Sequence, residues 1–511
     1  MEKFDVVIIG AGSAGSVVAR RLHDAGQNVA LLEAGGPDTN PAIHEPNRVP
    51  ELWHGEEDWD HHTVPQQHAA DRRIHLPRGK VLGGSHSLNA MIFVRCHPAD
   101  FDQWAELGNE GWAWKDVLPI YKAMENFEGG ESELRGGEGL MDVVVTNPLN
   151  AIQSSIIDAA GEIGIERNDD YNGEKIEGIA PIQVTTRNRK RLSSFSAYVR
   201  PILDSPRMNV ITHAWVHRLL FEGTKVVGIE YEKDGVIQTL NADSVVLSAG
   251  AIDSPRVLLR SGIGPADELR ELGIPVVVDS PEVGRNLHDH LITPVIFTTD
   301  KAPVPPLIDG MGIIQTHLFW HSKPGLRVPD TQPVNFNVPV YDSWMTGPDN
   351  GFTLMGGIVT PKSRGSVKLG GPGAHDELLI DLNVFSDEDD DDLSAMAFSV
   401  RQCEQIGAAP ALADKWGARQ IYPEPGLDDE ALIDYIRHAV TTYHHVAGSC
   451  RMGVDDRAVV DPQLVVRGVE GLRVADASIM PNITTGNTNA PSMLIGEQAA
   501  RFMLASVPVP S

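Results

Sequence analysis

Two groups of residues near the start of this chain have the types and spacing to hold a flat, negatively charged ligand. Gly10-x-Gly12-x-x-Gly15 is followed, 18 residues on, by Glu33. In this pattern Gly10 permits a tight turn, Gly12 lets the backbone approach a pyrophosphate, and Gly15 lets a helix pack on a strand. The phosphates rest on helix N-terminal N–H groups, with Ser13 and Ala14 at the turn, and Glu33, followed by Ala34, accepts from a ribose 2′-hydroxyl. The chemistry is adenine-dinucleotide binding. The second group, Arg78-Gly79-Lys80-Val81-Leu82-Gly83-Gly84-Ser85-His86-Ser87-Leu88-Asn89-Ala90, sets glycines among small polar residues, so its main chain can lie against a ligand and offer N–H groups. A surface loop has the same composition.

The elements that must carry these groups are visible in the apolar pattern. Val6 to Ile9 and Val29 to Leu32 are short apolar runs, read as parallel strands buried on both faces. Val17, Val18 and Leu22 lie on one side of the helix between them. Val210 to Thr212, Val216 to Phe221, Val226 to Glu232 and Val236 to Leu240 read as an antiparallel meander. Ser244 to Ala251 reads as a separate strand returning to the dinucleotide sheet, its small end residues Ala249 and Gly250 making room for the cofactor. A helix then starts at Ser254-Pro255 and stops at Ser261-Gly262. Asp100 to Met124 gives two amphipathic helices whose tryptophans belong to the core, Gly129 to Gly139 a candidate linker, and Pro294 to Leu382 a β-rich stretch. The segment from Ala34 to Pro98, long and aperiodic, is of the kind that carries function.

Composition bounds the class. The 511 residues are 41% hydrophobic and 22% charged, with a formal net charge of −28. That charge repels nucleic acid and anionic membranes, so neither is an expected partner. Three distant cysteines imply no disulfide framework, and no apolar run reaches the length of a transmembrane anchor. Only Met1-Glu2-Lys3 precedes the first strand, so no leader is expected and a cytoplasmic location fits. No HExxH, paired-cysteine or EF-hand pattern occurs, so no metal is expected. The pairs His61-His62 and His288/His290 read as surface or structural, and Asp387 to Asp392 as a solvated turn before a helix at Leu393.

Taken together, the blocks resemble the glucose–methanol–choline (GMC) family of FAD-dependent oxidoreductases over nearly the whole chain. The matching residues are Gly10 to Gly15 with Glu33, Gly79 to Asn89, Gly250 to Gly264, His445 to Gly453 with Asp476 to Asn489, and more weakly Val283 to His290. The resemblance implies an α/β fold: a Rossmann-like FAD-binding domain, parallel sheet plus meander, and an α+β substrate-binding domain on an antiparallel sheet. The expected FAD domain is discontinuous (1–150, 205–293 and 455–511), with 151–204 and 294–454 for the substrate.

It also implies roles. His445, three residues before Gly448, takes the family's base position, with His444 as competitor; imidazole titrates near working pH. Asn489 matches the second active-site position, where its amide faces the developing alkoxide. The alternative is a helix cap: Pro491 reads as the first helical residue, so Asn489 or Ala490 lies at the cap. That helix aims its positive end at the flavin. Asp476, with Ala477, meets the ribityl or pyrophosphate region or else caps a strand end. Gly83, Gly84, Asn89 and Ala90 lie near the isoalloxazine, and the Val216 backbone near the adenine. In some relatives a histidine in the glycine loop carries the flavin covalently. That position here is Leu88, two residues from His86, so FAD is expected to be non-covalent.

The implied reaction is oxidation of a primary alcohol by hydride transfer to flavin N5, with oxygen or a quinone-type acceptor reoxidising the flavin. Leu291-Ile292-Thr293 replaces the acid that meets choline in relatives acting on it. The texture is closer to members acting on pyridoxine, hydroxymethylfurfural and alkanols. Choline dehydrogenation, a hydroxynitrile-lyase-type reaction on the same scaffold and a nicotinamide dehydrogenase are the competing readings. Trp320 and Trp344 are candidates for the substrate pocket.

Overall fold

A computed structural model describes residues 3–505. A seven-stranded sheet grows from the opening strand, Lys3–Ile9. Val6, Val7 and Ile8 are fully buried, which suits a central strand. It pairs in parallel with Val29–Leu32 on one side and Val236–Leu247 on the other. Register sets Ile9 opposite both Leu32 and Leu247, Leu32 opposite Ile211, and Leu247 opposite Val474. The carboxyl ends of these strands therefore finish on one line. From Lys3–Ile9 successive strands are added to either side, and such a reversal of strand order opens a crevice for ligands beyond the carboxyl ends.

Two helices flank the crevice. Ser13–Asp24 leaves the opening strand, and Asn489–Ala505 packs along it. A Cβ on Gly496 would lie 2.6 Å from the Ala14 carbonyl oxygen, so the crossing is close to backbone contact. Arg21 forks onto the Glu497 carboxylate with two bonds of 2.8 Å, fixing that crossing.

The second layer is an antiparallel seven-stranded sheet in the order Ala418–Tyr422, Leu291–Thr299, Gly351–Ile358, Val334–Phe336, Ile314–Phe319 and Gly178–Pro181, with Thr441–Thr442 paired to Leu291–Thr299. Helix Asp391–Ala408 covers one face. Among the described residues no helix is long and apolar enough to cross a membrane. Trp104, on helix Pro98–Glu106, and Trp112, just before helix Trp114–Met124, are fully buried core side chains, while Trp114 is half-buried.

Several local expectations need correction. Met208–Ile211 is a parallel edge strand beside Val29–Leu32, not part of the meander. The last meander strand and the returning strand are one 12-residue strand, Val236–Leu247. Its first half pairs antiparallel with Lys225–Lys233 and its second half parallel with Lys3–Ile9. The Asn241-Ala242-Asp243 gap between the two readings is continuous strand, with Asn241 paired to Gly228 on one side and Lys3 on the other. The following helix starts at Gly250, ahead of Ser254. Gly129 to Gly139 is no linker: Arg135 is buried there against Glu125 (2.9 Å) and Asp170 (2.6 Å). Within the acidic run, Asp392 is buried and accepts from the Lys362 and Ser363 N–H groups. Residues 291–293, assigned above to the cofactor part, open the first long strand of the antiparallel sheet.

Candidate active site

A cavity of about 430 Å³ runs between the parallel-sheet edge and the antiparallel sheet. At one end Gly10 turns out of the opening strand with φ 100°, and a Cβ there would lie 2.4 Å from the Ser248 carbonyl oxygen. The second glycine loop closes on the first. Gly83 N–H donates to the Ala11 carbonyl (2.9 Å), and a Cβ on Gly84 would meet Gly12 Cα at 2.7 Å. A Cβ on Gly12 would meet nothing nearer than Gly84 Cα at 3.8 Å. The two loops thus present bare backbone to the cavity.

The acids at this end are held by backbone donors. Glu33 accepts from Ala11 N–H (3.1 Å) and Gly35 N–H (3.0 Å), and burial pushes its carboxyl up to about 7. Asp476 accepts from Gly250 N–H (2.9 Å) and the Ser254 hydroxyl (2.5 Å), and through its other oxygen caps Ala477–Ile479 at Ser478 N–H. The cap reading of Asp476 and its place on the cavity wall therefore hold together. Ser13, Ala14, Ala34, Asn89, Ala90, Val216, Ala249 and Ala477 also line the wall. Gly15 and Gly83 lie behind it, shaping the turns rather than the surface.

At the other end stands His445. Its main-chain N–H donates to Asp289 (2.8 Å), whose second oxygen accepts from the Thr442 hydroxyl. His444 has φ 68°, a left-handed conformation that a non-glycine residue adopts only at some cost. The two neighbouring rings accordingly meet different surroundings. His444 packs edge-on to Trp53 at 5.3 Å, whereas His445 stacks on Tyr443 at 4.8 Å. His445 Nδ1 lies 3.0 Å from His290 Nδ1, and its Nε2 lies 3.1 Å from Asn487 Nδ2. Asn487 Oδ1 in turn accepts from Gln332 Nε2 (3.0 Å), which also faces His317 Nδ1 (3.1 Å). This chain assigns protons. With its oxygen taken by Gln332, Asn487 offers its N–H to His445 Nε2, so the Nε2 lone pair is the acceptor and the proton sits on Nδ1, toward His290. Burial, then the neighbouring His290, His444 and Arg78, hold the His445 imidazole well below its ordinary pKa, hence neutral.

The foreseen partner of His445 is thus displaced by two residues. Asn489 does not reach the ring; its Nδ2 donates to the Ser13 hydroxyl (2.8 Å), joining the two helix N-termini. Its Oδ1 is buried with no hydrogen-bond partner among the described residues, on the wall of the cavity. The helix begins at Asn489, not Pro491, which leaves Asn487 in the preceding turn behind Gly486 (φ 113°). Sequence offered the signal, a second asparagine in Asn487-Thr488-Asn489, without deciding between them. His290 is not a remote structural histidine but the neighbour of the His445 ring, and nothing in its sequence setting indicated this. His86 is buried away from the cavity, with Nε2 on the Thr185 hydroxyl (2.9 Å) and Nδ1 accepting from Ser194 N–H (3.1 Å). Leu88 lines the wall instead. Trp320 and Trp344 do not line it; Trp53, Trp59 and Phe336 do.

The donor set suits an adenine dinucleotide: bare glycine backbone, an unpaired amide oxygen at Asn489, and a carboxylate at Glu33 for a diol. Comparison with known proteins agrees. The family profile described as GMC oxidoreductase matches residues 4–292, and its C-terminal counterpart residues 361–496. The chain is 38% identical to the alcohol dehydrogenase [acceptor] of Pseudomonas putida, over 99% of its length and 97% of that protein. It is equally similar, at 38%, to the oxygen-dependent choline dehydrogenase of Brucella ovis, over 99% and 96%. The crystal structure of pyridoxine 4-oxidase from Mesorbium loti superposes with a TM-score of 0.94 at 32% identity, over 99% of this chain and 100% of that one.

Proposed function

Because the chain belongs to the GMC oxidoreductases, enzymes that act on CH–OH donors and bind FAD, we propose that it oxidises an apolar primary alcohol to its aldehyde with His445 as the base. The observation that carries this reading is the His445 Nε2–Asn487 Nδ2 pair, 3.1 Å apart on the cavity wall. An alcohol oxygen within about 3 Å of both nitrogens takes the place of their mutual bond: it accepts from the Asn487 amide and donates its own proton to the Nε2 lone pair so freed. As the proton passes to Nε2, the Nδ1–H on His290 keeps the ring in place, and the Asn487 N–H stays on the oxygen as negative charge develops. FAD, when bound, is the acceptor of the hydride from the carbinol carbon. The residues that would hold it are Gly10, Gly12, Ser13, Ala14, Gly84, Asn89, Ala90, Val216, Ala249, Gly250, Ala477 and Asn489, with Glu33 and Ala34 at the ribose and Asp476 along the chain between the rings. Leu88 offers no nucleophile, which supports non-covalent attachment.

Wall chemistry supports an uncharged substrate. The antiparallel sheet and its loops contribute Ile292, Ile314, Val334, Phe336, Val340 and Met355. The lining carboxylates are Glu33, Asp253 and Asp476, all on the cofactor side. Asp253 is already paired with Arg256 at 2.6 Å. A quaternary ammonium group would find no free anion near His445, so the choline reading is the weaker one. The division into a cofactor part and a substrate part, near the limits given above, belongs to the same proposal. Anaerobic mixing with aromatic, furanic and aliphatic primary alcohols, pyridoxine and choline tests it. Apolar alcohols should bleach the flavin absorbance, and oxygen or a quinone should restore it. Bleaching by choline alone would overturn the substrate class, and no bleaching by any alcohol the reaction.

A further inference from the structure

Away from the cavity, side chains from three segments converge on one atom. His217 Nε2 lies 3.2 Å, and His375 Nε2 3.0 Å, from the same carboxylate oxygen, Oε2 of Glu232. His217 sits at the bulge of strand Trp215–Glu222, between Val216 and Arg218, and Glu232 on the adjoining strand opposite Trp215. His375 arrives from the loop joining Ser366–Leu369 to Leu378–Asp381. The ligating atoms all lie within 4.8 Å of one another. The two ring planes stand at 85° with centroids 5.7 Å apart.

That geometry is what a shared metal ion needs. His375 Nε2 is within hydrogen-bond distance of Glu232 Oε2, and His217 Nε2 lies beside the same oxygen without an aligned partner, so three candidate ligand atoms meet at one place. Around a tetrahedral zinc with bonds of about 2.0–2.1 Å, ligand atoms stand about 3.3 Å apart, close to the two N···O separations of 3.2 and 3.0 Å. His217 Nε2 is buried and makes no well-aligned hydrogen bond, although Glu232 is within reach. A second cluster, His54, Asp60 and His75, has its imidazoles stacked at 3.9 Å and tilted by only 24°.

We propose that His217, Glu232 and His375 bind a divalent transition-metal ion of the zinc class, with a water in the fourth position. Its role is a clasp. Trp215, on the cavity wall beneath the Arg256 guanidinium (5.5 Å), is flanked edge-on by His375 at 4.3 Å and His217 at 5.9 Å. A metal there ties the hairpin loop to the meander and holds Trp215 still. No spaced motif marks these ligands, which are 15 and 143 residues apart along the chain.

The test is calorimetric titration of the chelator-treated, FAD-loaded protein with Zn²⁺, and with Co²⁺ to read the visible spectrum. One equivalent should bind, Co²⁺ should give the intense bands of a tetrahedral ion, and the melting temperature should rise. His375→Ala and, separately, Glu232→Gln should each weaken binding at least about 10-fold. His54→Ala should leave binding unchanged. His375 is more than half exposed, so its replacement leaves the fold intact, which the melting curve without metal checks. No binding, or binding that survives His375→Ala and Glu232→Gln but is lost in His54→Ala, would overturn the assignment.

Discussion

Two asparagines, two residues apart, give the sharpest separation of roles. Asn487 Nδ2 stands 3.1 Å from His445 Nε2, and Asn489 Nδ2 2.8 Å from the Ser13 hydroxyl. Asn487→Ala removes the one amide that can follow a substrate oxygen as it gains charge. Donors of that kind contribute roughly 2.7–4 kcal/mol to the transition state, a factor of about 10² to 10³ in rate. It also frees the His445 tautomer, since no amide N–H then reserves Nε2 as acceptor, which pushes the loss toward the upper figure. Asn489→Ala removes a neutral hydrogen bond of about 1 kcal/mol between the helix N-termini and a polar atom facing the cofactor. Its effect belongs on FAD affinity, about 5- to 10-fold. Stopped-flow reduction of the flavin without oxygen reads the first effect, and flavin content after dialysis the second. The reasoning fails if Asn487→Ala reduces its flavin within threefold of the parent rate, or if the large rate defect appears in Asn489→Ala instead.

Other perturbations test separate parts of the site. Glu33 has its carboxyl raised to about 7 in the folded protein, against an ordinary value of 4.5. A raised carboxyl makes the folded state bind more protons between those values, so its contribution is fully present below pH 4.5 and is lost as pH rises through 7. Denaturant titration of the apoprotein should show Glu33→Gln removing a decline of about 3 kcal/mol over that range, and the holoprotein should bind FAD about 10-fold less tightly. Gly84→Ala should yield a folded protein depleted of flavin by absorbance, because its Cβ would press on Gly12 Cα at 2.7 Å at a φ of 55°. Arg135→Met should cost about 3 kcal/mol in urea melts with unchanged spectra; the figure is the low end for a broken buried pair because Arg95 still faces Glu125.

The cofactor half of the molecule was legible because its constraints are local. Gly10, Gly12 and Glu33 belong to one βαβ unit, and strand, turn and helix follow in sequence as they do in space. The meander was legible for the same reason, except where one strand serves three partners and its reading stopped at Leu240 and resumed at Ser244. What could not be read is what the chain assembles from afar. His290 meets His445, and Gln332, with His317 behind it, meets Asn487, only because the antiparallel sheet and its flanking residues bring distant segments together. Choosing Asn487 over Asn489 depends on where a helix begins, since Asn489 is its first residue and Asn487 lies before it, and the resemblance alone pointed to Asn489. Trp320 and Trp344 carried no mark separating them from Trp53 and Trp59, since an aromatic ring reads alike on a pocket wall and on an outer surface.

His445 itself decides the account. The purified His445→Ala protein, with bound flavin confirmed by its visible spectrum, is mixed anaerobically with the best alcohol of the panel, and the limiting rate of bleaching is compared with that of the parent. Removing the base predicts a fall of about 10² to 10⁴ with the flavin retained. Bleaching at the parent rate would contradict it, because the alcohol proton would then be leaving by a route that does not need this imidazole.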